Sequence, residues 1–90
     1  MKPSFSFYAD AGHGWLRVPK HLLVELGIAE KITSFSYQRG DYAYLEEDVD
    51  LSIFLAAMRQ RGIEPEFREY HSEYSRIRGY ESFCYESALP

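Results

Sequence analysis

Leu51, Phe54, Leu55 and Met58 stand at i, i+3, i+4 and i+7. That spacing lines one side of a helix with apolar side chains and leaves the other side polar. Asp48 or Asp50 can cap its start, Arg59 and Arg61 suit the negative end of its dipole, and Gly62 stops it. A helix is therefore predicted over 49–61. A one-sided helix must bury its stripe against another element. Most of the remaining chain repeats with a period of two, the period of a strand. The pair of patterns constrains the chain to a helix-on-sheet, α+β fold.

Ser4-Phe5-Ser6-Phe7-Tyr8 alternates polar and apolar, which predicts a half-buried strand with Phe5 and Phe7 inward. Asp10-Ala11-Gly12-His13-Gly14 reads as a turn, and Trp15-Leu16-Arg17-Val18 as the returning strand of a hairpin. Pro19 suits a helix start, Leu22, Leu23 and Leu26 cluster on one side, and Gly27 suits a left-handed stop. A short helix is predicted over 19–26. Ile32 to Tyr37 alternates, with Phe35 and Tyr37 on one side and Ser34 and Ser36 on the other. Arg39-Gly40-Asp41 turns the chain, and Tyr42-Ala43-Tyr44-Leu45 returns, giving a second hairpin. Strands are expected at 66–71 and 76–83, and a frayed tail at 84–90. The expectation is a single small domain over 1–90. It has a mostly antiparallel sheet, both helices on one face, and the surplus tyrosines on the other.

Ninety residues with 46% hydrophobic and 27% charged residues form an ordinary globular composition with a small core. No apolar run approaches the ~18 residues of a membrane span, and the first residues lack a signal-peptide pattern. The net charge is −4, divided unevenly. Lys2, Arg17, Lys20, Lys31 and Arg39 against Asp10, Glu25 and Glu30 leave the first forty residues at +2 and the rest at −6. An acidic molecule repels phosphate backbones, so nucleic acid is a less favoured partner than protein. Cys84 is the single cysteine, so no internal disulfide forms, in keeping with a cytoplasmic setting. With no CxxC and no Cys/His cluster, no metal and no cofactor are expected.

Few residues carry a chemical signature. His13 lies between glycines, within reach of a ligand, whereas His21 falls on the polar side of the short helix. Glu46, Glu47, Asp48 and Asp50 form an acidic run whose simplest role is to favour the positive end of the following helix. The densest polar-aromatic stretch holds Tyr70, His71, Tyr74, Arg76, Arg78 and Tyr80. Tyrosine and arginine anchor protein interfaces, because each covers much area and still offers hydrogen bonds. These six, with His13 and Trp15 of the glycine turn, are the candidate partner-binding residues. No nucleophile signature appears, and the chain is expected to be non-enzymatic.

Two resemblances attach to particular residues. Trp15-Leu16-Arg17-Val18-Pro19-Lys20, Leu26-Gly27-Ile28 and the following hairpin resemble the AbrB-type swapped-hairpin domain over residues 14–48. That resemblance implies an intertwined homodimer acting as a DNA-binding regulator or antitoxin, with Arg17 and Lys20 on the DNA. The second covers nearly the whole chain. Tyr8 to Trp15, Val18-Pro19-Lys20, Tyr44 to Asp48 and Arg78 to Phe83 are similar to short uncharacterised phage and mobile-element proteins. It implies a small protein that binds a host or phage macromolecule, including one that inhibits a host defence system. A homodimer is compatible with either.

Overall fold

The computed structural model describes residues 2–89. Its strands are β1 (Ser4–Ala9), β2 (Gly14–Pro19), β3 (Tyr37–Arg39), β4 (Tyr42–Glu46), β5 (Glu66–His71) and β6 (Glu81–Ser82). Its helices are α1 (Lys20–Glu25) and α2 (Asp50–Gln60). Together they make an α+β domain with one six-stranded sheet in the order β5-β1-β2-β4-β3-β6. Every neighbouring pair is antiparallel except β1 with β5. Among the described residues no helix is long and apolar enough to cross a membrane.

Alternation along the strands divides the sheet into two unlike faces. Phe5 on β1, Leu16 and Val18 on β2, and Ala43 and Leu45 on β4 turn to one face. There they meet Leu23 of α1 and Phe54 and Met58 of α2 in one core, with the Phe5 and Phe54 rings packed edge to face at 5.3 Å. The two-turn α1 would not hold a helix alone in water; Leu23, fully buried, docks it on the sheet. Gly27 and Gly62 follow the two helices with φ of 73° and 74°, which glycine adopts at little cost. The opposite face carries Trp15 and Tyr44, with Tyr8, Tyr37 and Tyr80 around them. The tyrosines therefore stand on the face the alternation assigns them.

Three expectations need correction. The predicted strand through Ile32–Ser36 is absent, and β3 begins only at Tyr37. Asp50 is the physical reason. Its buried carboxylate accepts bonds from the Thr33 N–H at 3.0 Å, the Thr33 hydroxyl at 2.8 Å and the Ser36 hydroxyl, which curls the segment inward. Phe35 is left 76% exposed.

The start of α2 is capped by neither Asp48 nor Asp50. The Glu46 carboxylate reaches forward from β4 and accepts the N–H groups of Asp48, Val49 and Asp50, each at 2.7 Å. It satisfies donors that the first helical turn leaves open.

Residues 76–83 do not form a strand. Arg76–Gly79 is a 3-10 turn, capped by the Ser75 hydroxyl, and only Glu81–Ser82 pairs, with β3. Ile77, aimed into the tyrosine face and 3% exposed, holds the turn down.

Over 84–89, where a frayed tail is expected, the chain turns back on the domain; Pro90 lies outside the described residues. Phe83 is buried in the helix-side core and Ala88 packs against it. Tyr85–Ala88 is a 3-10 turn. The buried Gln38 side chain accepts from the Cys84 N–H at 3.1 Å and from the Ser87 hydroxyl, which fastens this turn to the sheet.

Candidate functional site

The sequence Ser72–Tyr80 leaves β5, crosses the tyrosine face and returns to the opposite edge of the sheet as β6. This strap is fixed at one point by Asp10, in the β1–β2 turn. One Asp10 oxygen accepts the Gly12 and His13 N–H groups at 3.0 Å each, which shapes the turn. The other accepts the Ser75 N–H at 3.1 Å. Arg78 then grips both oxygens, with Nε at 2.6 Å and Nη2 at 2.7 Å. The Asp10 side chain is 1% exposed, so the carboxylate is shielded from water, while Arg78 keeps a partly exposed edge. The Arg78 guanidinium, helped by the Ser75, Gly12 and His13 N–H groups, holds the Asp10 carboxyl far below the usual carboxylate range against the cost of burial.

Arg78 also lies over the rings of Trp15 and Tyr74, 5.4 Å from each centroid. Further cation–ring contacts join Arg17 to Tyr42 at 4.8 Å and Arg39 to Tyr80 at 5.1 Å. Tyr44 meets Tyr80 edge to face at 5.2 Å, and Tyr8 stacks on Tyr70 at 5.4 Å. Arg68 reaches the Ser6 hydroxyl on the same face. Only Arg59 and Arg61 remain on the helical side, where Arg59 pairs with Glu64 and Arg61 bonds the Glu25 carbonyl. Among the described residues, Arg78 is the one arginine of the tyrosine face with a carboxylate at salt-bridge distance.

Two grooves flank the strap. The larger, about 680 Å³, has Tyr8, Arg17 and Tyr44 as its floor, with Tyr74, Arg76 and Tyr80 along its strap wall. Burial, with Tyr80 adding to it, pushes the Tyr44 hydroxyl above its ordinary 10.0, and Arg17 opposes the shift. This phenol stays protonated and available as a donor at neutral pH. The smaller groove, about 370 Å³, runs between His13, Trp15 and Arg78 on one side and Phe35, Asp48 and Val49 on the other.

The strap thus brings Tyr74, Arg76, Arg78 and Tyr80 together, and Tyr70 stands beside them on β5. His71 pairs with Ala9, and the strand's alternation turns it to the face opposite Tyr70. His13 is exposed at the mouth of the smaller groove, its ring 6.0 Å from that of Trp15. Trp15 is 3% exposed and serves as a wall rather than a protruding anchor. Arg17 and Lys20 separate: Arg17 belongs to the tyrosine face, while Lys20 begins α1 and donates its backbone N–H to the Asp41 carbonyl. β2 and the β3–β4 hairpin pair within the one chain.

Asp10, Tyr8 and Tyr44 were not singled out by sequence reasoning. The period-two pattern assigns Tyr8 and Tyr44 to the tyrosine face, but nothing local ties Asp10 to an arginine 68 positions away. Among the described residues no three His, Cys, Asp or Glu side chains gather as a metal site. No known protein family, curated protein or solved structure matches this chain.

Proposed function

We propose that the chain is a small non-enzymatic protein that docks a protein partner on its tyrosine face. As a phage- or mobile-element-type protein it would act by occupying a host component, a defence protein included. The observation that carries this reading is the concentration of Tyr70, Tyr74, Arg17, Arg39, Arg68 and Arg76 on one sheet face, these four arginines having no carboxylate at salt-bridge distance among the described residues. Few residues dominate a protein interface, and tyrosine and arginine lead them. Tyr74 is 74% exposed, yet Arg78 holds its ring, so its contact area is partly ordered before binding.

The test is capture from host lysate by three immobilised proteins: wild type, Tyr74→Ala/Arg76→Ala, and Arg61→Ala as a helical-side control. A partner held by wild type and the control but lost by the double variant supports the proposal. A partner held equally by all three overturns it.

A further inference from the structure

We infer that the larger groove takes an acidic, extended segment of the partner, its carboxylates on Arg17 and Arg76 and an apolar or aromatic side chain over Tyr44 and Ile77. This inference rests on the tyrosine face being the docking surface and adds the chemistry of what it holds.

The protein carries fourteen acidic side chains against ten basic ones, yet among the described residues no carboxylate lines this groove. Glu73 stands between Ser72 and Tyr74 in the strap and is absent from the lining. Its polar lining residues are Arg17, Arg76, four tyrosines, Ser72 and Ser75. Guanidinium groups match carboxylates in plane and in charge, and hydroxyls donate to the oxygens left over. Arg17 is half-buried and already oriented by the Tyr42 ring, so little freedom is lost when it binds. The apolar ground between the cations suits a polypeptide, which alternates side chains along an extended backbone.

A nucleic-acid strand would offer phosphates to the same arginines. Its charge density is the objection. Duplex DNA carries one charge per ~1.7 Å of axis and is held by many lysine or arginine contacts to phosphate. The groove offers two arginines, and the molecule behind it has a net charge of −4. A short acidic peptide segment brings its charge to the groove alone.

The test is calorimetric titration at low salt with poly-L-glutamate and, separately, with oligothymidylate of about 20 nucleotides, long enough to cross the face. Wild type should bind poly-L-glutamate saturably and oligothymidylate at least about tenfold more weakly. Arg17→Gln/Arg76→Gln should weaken poly-L-glutamate binding about tenfold, as loss of charged hydrogen bonds requires, and Arg61→Gln should leave it unchanged. Arg76→Gln alone, at an exposed position of the strap, should weaken it in the same direction if the double variant fails to fold.

Poly-L-glutamate binding that ignores these substitutions overturns the inference. So does tighter binding of oligothymidylate that depends on the same arginines, which would make the groove a phosphate site. Self-association in light scattering that the double variant abolishes would assign the groove to a second copy, again overturning it. Failure here while Tyr74→Ala/Arg76→Ala still loses the lysate partner removes the acidic segment and leaves the docking surface standing.

Discussion

Arg78 closes on Asp10 through two nitrogens, at 2.6 Å and 2.7 Å, across 68 positions of sequence. The contact ties the β1–β2 turn to the strap, which walls both grooves. Arg78 also covers Trp15 and steadies Tyr74, so one guanidinium serves the packing of the tyrosine face and the proposed docking surface together.

The pair makes stability depend on pH in a defined direction. The folded-state pKa of Asp10 lies below its ordinary 3.8. Its contribution is therefore complete above that value and is lost as pH falls below it. Glu64 and Glu86 are also lowered, by Arg59 and by Cys84, but both are exposed and weakly coupled to folding. Thermal melts from pH 6 down to about 2 should show wild type losing stability steeply below about pH 4 and Asp10→Asn losing less over the same interval. At neutral pH, Asp10→Asn should melt well below wild type, and Arg59→Ala close to it. Parallel pH profiles for wild type and Asp10→Asn would remove Asp10 from this role.

Glu46, rather than the aspartates that follow it, holds the first turn of α2. Replacing Glu46 with Ala should cost about 1–2 kcal/mol, the upper range for a lost cap. Asp48→Ala removes no bond to the helix and should change stability by less than about 0.5 kcal/mol. Urea denaturation of the two variants compares them directly, and a larger loss for Asp48→Ala contradicts the capping assignment.

Gly14 is buried where β1 and β2 meet, and a Cβ there would overlap the Phe7 ring, with the Glu47 carboxylate close behind. Its backbone needs no positive φ, so the constraint is one of space. Gly14→Ala should destabilise by about 1–3 kcal/mol, the range for overpacking. Gly79, whose Cβ would meet nothing within 4 Å, should accept alanine at little cost. Equal melting temperatures for the two alanine variants would contradict this packing.

Strand and helix periodicity carried most of the architecture. The Phe5/Phe7 alternation, the Leu51–Met58 stripe and the surplus of tyrosines each describe a face, and faces follow from local spacing. What local spacing misses is a polar side chain that acts at a distance. Ser36 looks like a polar-side residue of a strand until Asp50, buried at the start of α2, draws it and Thr33 in. Arg76–Tyr80 has the composition of an exposed strand, but Ile77 seats it and Asp10 pins it as a turn. The tail lacks a strong pattern of its own and is fastened by Gln38, 46 positions from Cys84. The candidate site was legible as a set of residue types near 70–80. Its shape was not, because Tyr8, Arg17 and Tyr44 enter it from distant strands and Asp10 from the β1–β2 turn.

Under the proposed function the tyrosine face, and not the helical face, meets the partner. Site-specific photocrosslinking in host lysate tests it most directly, with benzoylphenylalanine replacing Tyr74 on the strap in one protein and Ala56, exposed on α2, in another. The account predicts a discrete crosslinked product from position 74, none from position 56, and loss of the position-74 product when Arg76→Ala is added. A crosslink from position 56 with none from position 74 would contradict it.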